Sequence, residues 1–217
     1  ARLHSELISE ATQACRWVHE VSDDVAQAIS RDSQGICAVA RSGAIASELP
    51  EIYPGDCIVV LAQSRDPGNA GTIMRTADAM GARAIVSVKG SVEASSPKVI
   101  RSSAGSVFHL PIVPADSFDE ACQTLRGVNA VILGTSGARG AYSLSSLMSQ
   151  ASVEGRGWLT QTHAWVFGNE AQGMSQSEMS ACDALVMIPM SGDAESLNVA
   201  SAAAMCLFAS QSARVGE

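Results

Sequence analysis

No apolar run in this 217-residue chain comes near the roughly 20 residues that a membrane-spanning helix requires. The order of a secretory signal peptide, basic and then apolar, is also missing from the polar start Ala1, Arg2, Leu3, His4. These two gaps point to a cytoplasmic protein without membrane contact. No C-x-x-C pair occurs, and Cys15, Cys37, Cys57, Cys122, Cys182 and Cys206 have no histidine cluster nearby. A metal site is therefore not expected, and the cysteines read as reduced, buried thiols in apolar segments. Basic residues are scarce too: 14 Lys and Arg face 22 Asp and Glu, a net charge of −8. A protein that grips nucleic acid with its whole surface needs the opposite balance, so any such contact has to be local.

What is present is enough for one substantial core, or one core and a small appended unit, at 47% hydrophobic and 17% charged. Residues 1–42 differ in texture from the rest. Leu3, Leu7, Ile8, Ala11 and Ala14 recur at helical spacing, residues 17–21 read as extended, Ser22 caps a short helix through Ile29, and residues 35–40 read as a strand. This is too little for an independent domain. From residue 58 onward, short apolar runs at 58–62, 84–88, 130–133, 164–167 and 185–188 are bounded by turn residues, as strands covered on both faces are. Between them, Ser117 with Glu120 and Ser175 with Glu178 make capping boxes, Gly81 ends a helix that begins near Asn69, and residues 196–213 read as a long last helix. The Ser- and Gly-rich residues 134–149 read as a functional loop. Strands alternating with helices predict an α/β fold with a parallel sheet flanked by helices.

Three segments carry chemistry, each directly after a strand. In the first, Asp66-Pro67-Gly68 breaks the strand, Asn69 can cap the next helix, and Arg75 lands about two turns inside it. In the second, Gly168 and Gly173 flank Glu170, which suggests a loop where main chain approaches a ligand closely. The third runs from Ile188 through Pro189, Met190 and Gly192 to Ser196, Leu197 and Asn198, bringing polar groups to the start of the last helix. A capped helix accounts for Ser196 but not for Asn198. No histidine falls in any of the three, so His4, His19, His109 and His163 read as structural or surface groups.

Taken together and in this order, the segments resemble the SpoU/TrmH family of the SPOUT superfamily. Asn69, Gly71, Arg75, Thr76 and Ala77 match its first pattern; Gly168, Glu170, Gly173 and Met174 its second; Ile188 to Met190, Gly192 and Ser196 to Val199 its third. The resemblance spans roughly residues 57 to 213. It implies a C-terminal trefoil knot, a homodimer, and transfer of a methyl group from S-adenosyl-L-methionine to a ribose 2′-hydroxyl of RNA. By the same resemblance, Leu133, Gly134, Thr135, Gly168, Ile188, Met190, Gly192 and Leu197 would hold the donor. Arg75, Asn69, Glu170, Ser196 and Asn198 would serve catalysis. Because an arginine stays protonated, Arg75 is expected to orient an RNA phosphate, with that phosphate or a water taking the proton and Glu170 partnering the guanidinium.

Residues 1–42 resemble the end of the N-terminal RNA-binding domain that longer family members carry, or a linker from it, with residues 43–217 as the catalytic domain. That likeness favours ribosomal over transfer RNA as substrate. Arg65, Arg75, Lys89, Lys98, Arg101 and Arg139 flank the expected site and could form a phosphate track. Two other classes remain open here. Gly134, Gly137 and Gly140 hint at a dinucleotide-dependent oxidoreductase, but their spacing is not G-x-G-x-x-G and no acidic ribose partner lies at the needed distance. A catalytically silent RNA-binding module would have little reason to keep all five polar site residues.

Overall fold

A computed structural model describes residues 5–15, 17–31, 34–138 and 140–214; Leu3, His4 and Arg139, weighed above, lie outside them. The chain divides into two compact units, Ala1–Arg41 and Ser42–Glu217. In the first, α1 (Ser5–Ala14) and α2 (Asp23–Ile29) form where apolar spacing and the Ser22 cap place them. Residues 35–40 are not a strand. Apolar composition alone does not make a strand: these residues are mostly exposed and have no neighbouring strand to pair with among the described residues.

The second unit holds a seven-stranded parallel sheet in the order β3-β2-β1-β6-β4-β7-β5. Its strands are β1 (Cys57–Leu61), β2 (Ala84–Val88), β3 (Ile112–Ala115), β4 (Val131–Thr135), β5 (Tyr142–Ser143), β6 (His163–Phe167) and β7 (Ala184–Met187). The helices are α3 (Pro67–Ala79), α4 (Pro97–Ser102), α5 (Phe118–Gly127), α6 (Leu144–Glu154), α7 (Gln176–Ala181) and α8 (Val199–Arg214). Alternate residues of β1 enter two cores: Cys57, Val59 and Leu61 pack with α3, α6 and α8, whereas Ile58, Val60 and Ala62 pack with α5. This two-sided burial is why the central strands read as unbroken apolar runs. The five expected strands form within a residue or two of their expected ends. The two unexpected ones lie at the sheet edges: β3 contains Pro114, which an edge strand tolerates, and β5 has two residues. No helix of the described residues is long and apolar enough to cross a membrane.

Several local expectations change. Asp66, not Asn69, caps α3, its carboxylate accepting from the Asn69 N–H at 2.7 Å, with Pro67 in the first turn. The Ser175–Glu178 capping box is present, but Glu120 accepts from the Asp116 N–H instead of completing a box with Ser117. Residues 144–149 belong to α6 rather than to a loop. Cys57, Cys122 and Cys206 are buried, whereas Cys15 is exposed; all six thiols are free.

At the amino edge of the sheet, α8 is fastened by a buried polar chain. His163 Nδ1 bonds the Gln161 carbonyl at 2.7 Å, which makes it the donor and leaves Nε2 to accept from Ser210 Oγ at 2.7 Å. Ser210 Oγ in turn accepts from Trp165 Nε1 at 2.8 Å. Burial drives the His163 imidazole from 6.5 down to about 4, overcoming the opposing bond to Gln161, with the Arg214 charge adding to the lowering. Between these values the unfolded chain binds a proton that the folded chain refuses. Stability from this group is therefore complete above about pH 6.5 and falls as pH drops toward 4, by about 2 kcal/mol between pH 7 and pH 5. Urea unfolding at both values should show the loss, and His163→Gln should flatten the dependence while lowering stability at pH 7.

Candidate functional site

Parallel pairing puts the carboxyl ends of the strands on one edge, where open α/β sheets bind ligands. All thirteen residues singled out from the sequence stand at the ends of β1, β4, β6 and β7 or on the loops and helices that these strands lead into. Since β4 lies between β6 and β7, with Gly134 opposite Val166 and Thr135 opposite Val186, the ends carrying Thr135, Gly168 and Ile188 are neighbours.

Two loops are bolted together between β1 and β6. After β1, Gln63 adopts φ 59°, and its carbonyl accepts from Asn169 Nδ2 at 3.1 Å. Buried Ser64 donates its hydroxyl to Glu170 Oε1 at 2.8 Å, and the same carboxylate accepts from the N–H groups of Arg65 at 3.2 Å and Asp66 at 3.3 Å. Partial burial would raise the Glu170 carboxyl. Hydrogen bonds from its own N–H, the Ser64 hydroxyl and the Arg65 and Asp66 amides outweigh that and hold it below the ordinary carboxylate range. Glu170 is thus not the partner of a guanidinium: its oxygens are already occupied by the lead-in to α3. Arg75, two turns along α3, is exposed and has no hydrogen-bond or ion-pair partner among the described residues.

Each glycine of the second loop has a use within the chain itself. A Cβ on Gly168 would stand 2.6 Å from the Gly173 carbonyl carbon and the Met174 nitrogen, and Gly173 turns the loop at φ 68°. Asn169 closes this turn, its side-chain oxygen accepting from the N–H groups of Ala171 and Gln172. Gly134 is closely packed, since a Cβ there would lie 2.9 Å from Cys182 Sγ and from Leu185 Cδ2 and push those side chains aside. The Thr135 hydroxyl is committed to the Val166 carbonyl at 2.8 Å, and Leu133 is buried.

The third segment, residues 188–198, ends in a reversal of roles. Asn198, not Ser196, caps α8, its Oδ1 accepting from the N–H groups of Ala200 and Ser201. Its Nδ2 donates to Asn69 Oδ1 at 3.0 Å, tying α8 to α3. Asn69 is available for this because Asp66 does the capping. Ser196 is exposed, as are Met190 and Leu197, and Ile188 is half-buried. A Cβ on Gly192 would meet nothing within 4 Å. Residues 189–197 make no hydrogen bond among the described residues. Unspent main-chain groups, exposed apolar side chains and free space suit an adenosine ligand.

Of the flanking cations, Lys89 pairs with Asp116 at 3.4 Å, while Lys98 is exposed without an ion-pair partner among the described residues. His109 pairs with Asp78 near the surface, and His163 lies at the far edge of the sheet. Neither reaches the site. Sequence reasoning passed over Ser64, Asp66 and Asn169. Asp66 before Pro67 was a readable cap signal and Asn169 beside a glycine a readable turn signal, whereas Ser64 carried none.

Comparison with known proteins agrees with this fold. The profile of the SpoU rRNA Methylase family matches residues 56–208. A 23S rRNA (guanosine-2′-O-)-methyltransferase RlmB of Bordetella pertussis is 30% identical over 215 residues, covering 96% of this chain and 83% of that protein. The SpoU methyltransferase AviRb of Streptomyces viridochromogenes, solved with AdoMet, superposes with a TM-score of 0.68 at 30% identity, covering 79% of this chain and 66% of that one. An AdoMet-bound rRNA methyltransferase of Sinorhizobium meliloti gives 0.73 at 28% identity, covering 96% and 77%.

The double duty of Asn198 can be separated by substitution. Asn198→Ala loses cap and tie together and should lower unfolding free energy by about 1 to 2 kcal/mol, whereas Asn198→Ser keeps a capping oxygen and should cost about 0.5 kcal/mol. Urea titration of both variants measures the difference.

Proposed function

The chain belongs to the SpoU rRNA methylase family, and from that premise we propose that it is an S-adenosylmethionine-dependent enzyme that methylates a ribose 2′-hydroxyl of ribosomal RNA. The observation that carries this reading is Arg75, without a partner among the described residues, on a helix held to the 188–198 segment by the Asn69–Asn198 bond. When bound, S-adenosylmethionine supplies a sulfonium-bound methyl group. The main-chain groups of residues 189–197, the apolar faces of Met190 and Leu197 and the ends of β4 and β6 would hold it, with this segment crossing as the trefoil knot. Ribosomal rather than transfer RNA is the substrate that the B. pertussis relative's name supports, and such a substrate puts the enzyme in the cytoplasm.

A ribose hydroxyl attacks only when positioned and relieved of its proton. Glu170 is a weak base, since its hydrogen bonds favour the ionised form. An arginine has no proton acceptor. The role left to Arg75 is to fork onto an RNA phosphate and fix the adjacent ribose, with a phosphate oxygen or a water receiving the proton. Asn69 and Asn198 hold α3 in place, and exposed Ser196 would be open to the RNA. We assign residues 43–217 to catalysis and residues 1–42 to an RNA-binding element. Exposed Met205 and Phe208 on α8 support a homodimer, which light scattering at micromolar concentration tests.

Labelled methyl donor and protein-free ribosomal RNA should yield a ribose-methylated nucleotide; a base-methylated product contradicts the assignment. Saturating donor should raise the melting temperature, because it binds only the native state. Arg75→Lys keeps the charge and loses the fork, so transfer should fall about 100-fold to 1000-fold while donor affinity by calorimetry changes little.

A further inference from the structure

Ser64 is 1% exposed, and its polar groups are spent on two distant loops: the main chain on residues 91 and 92, the hydroxyl on Glu170. Its N–H donates to Ser91 Oγ at 3.1 Å, its hydroxyl to Glu170 Oε1 at 2.8 Å, and its carbonyl accepts from the Val92 N–H at 2.8 Å. Ser91 is anchored in turn, donating its hydroxyl to the Leu61 carbonyl at 3.0 Å. One buried serine therefore joins the loop after β1, the loop after β2 and the Glu170 loop after β6. Two residues later Asp66 caps α3, which carries Asn69 and Arg75. With Gln63 in a left-handed conformation just before it, this lead-in holds its path only under such restraint.

Resting on the methyl-transfer reading above, we propose that Ser64 is a positioning residue for the reaction, acting through Glu170 to set where α3 begins and hence where Arg75 meets the RNA phosphate. The hydroxyl keeps the Glu170 carboxylate seated on the Arg65 and Asp66 amides. Without it, the carboxylate swings on the remaining N–H donors and the start of α3 loosens. Ser64 touches neither donor nor RNA, so its loss affects the rate and not donor binding.

The test is a double-mutant cycle on single-turnover methyl transfer to ribosomal RNA, using the full chain with Ser64→Ala, Glu170→Gln and both together. Ser64→Ala alone should slow transfer about 10-fold to 100-fold with unchanged donor affinity. In the Glu170→Gln background the same change should cost about 2-fold or less, because the two act as one unit. The acid limb of the Ser64→Ala rate profile should also move to higher pH, since a donor that favours ionised Glu170 is gone. Ser64→Cys, similar in size and a poor donor, carries the same cycle if the alanine chain does not fold. Additive losses, or an unmoved acid limb, overturn the inference. A wild-type chain that transfers no methyl overturns the reading it rests on instead, so the two failures are distinct.

Discussion

The insertion of β6 between β1 and β4 is the constraint on which the site depends. All five residues of β6 are buried, so its main-chain groups have only the two neighbouring ladders to satisfy them. The register that does this sets Cys57 to Leu61 against His163 to Phe167. Once that ladder closes, residues 63–66 and 168–170 must emerge side by side, although about a hundred positions separate them along the chain. A slip by one residue would put Trp165 and Phe167 on the wrong face of the sheet and separate Glu170 from its three donors.

This arrangement also reconciles an acidic chain with an anionic substrate. Glu170 and Asp66 stand at the carboxyl edge of the sheet, yet both carboxylates are turned onto main-chain amides, Glu170 across the loops and Asp66 at the head of α3. Their charge is met by N–H groups and by the positive end of the α3 dipole. Arg75 keeps its guanidinium free of partners among the described residues. A chain with a net charge of −8 can therefore offer a local cation without forming a basic surface.

The last helix connects this edge to the other. At its start, Asn198 divides its amide between capping α8 and holding Asn69. Near its end, Ser210 links His163 with Trp165, and Arg214 donates to the carbonyls of Gly55 and Gly81. Disturbance of either end is thereby felt along one rigid element. The α3–α4 contact is as tight, since a Cβ on Gly71 would fall 1.9 Å from Ser102 Oγ. That contact fixes the flank of the Arg75 helix.

The parallel α/β class, the five central strands, the Ser175 box and the three site segments were legible in the amino-acid order, because two-sided burial, caps and loop glycines are local signals. The edge strands were not: β3 is short and contains Pro114, and β5 has two residues, so neither has a periodicity to read. Nor were the hydrogen-bond partners of Asn69, Glu170 and Asn198, or which residue caps α8. A sequence can say that Asn69 is able to cap a helix, but not that Asp66 takes that place and leaves its amide to Asn198. Nor can it say that the Glu170 oxygens are filled by Ser64 and two amides before Arg75 could compete. Local preference decided which elements form and where the chemistry-bearing segments lie. Which partner each polar group takes was decided by the tertiary fold alone, because hydrogen-bond partners are chosen by distance in space, and only the β1–β6 ladder brings residues 64 and 170 within reach.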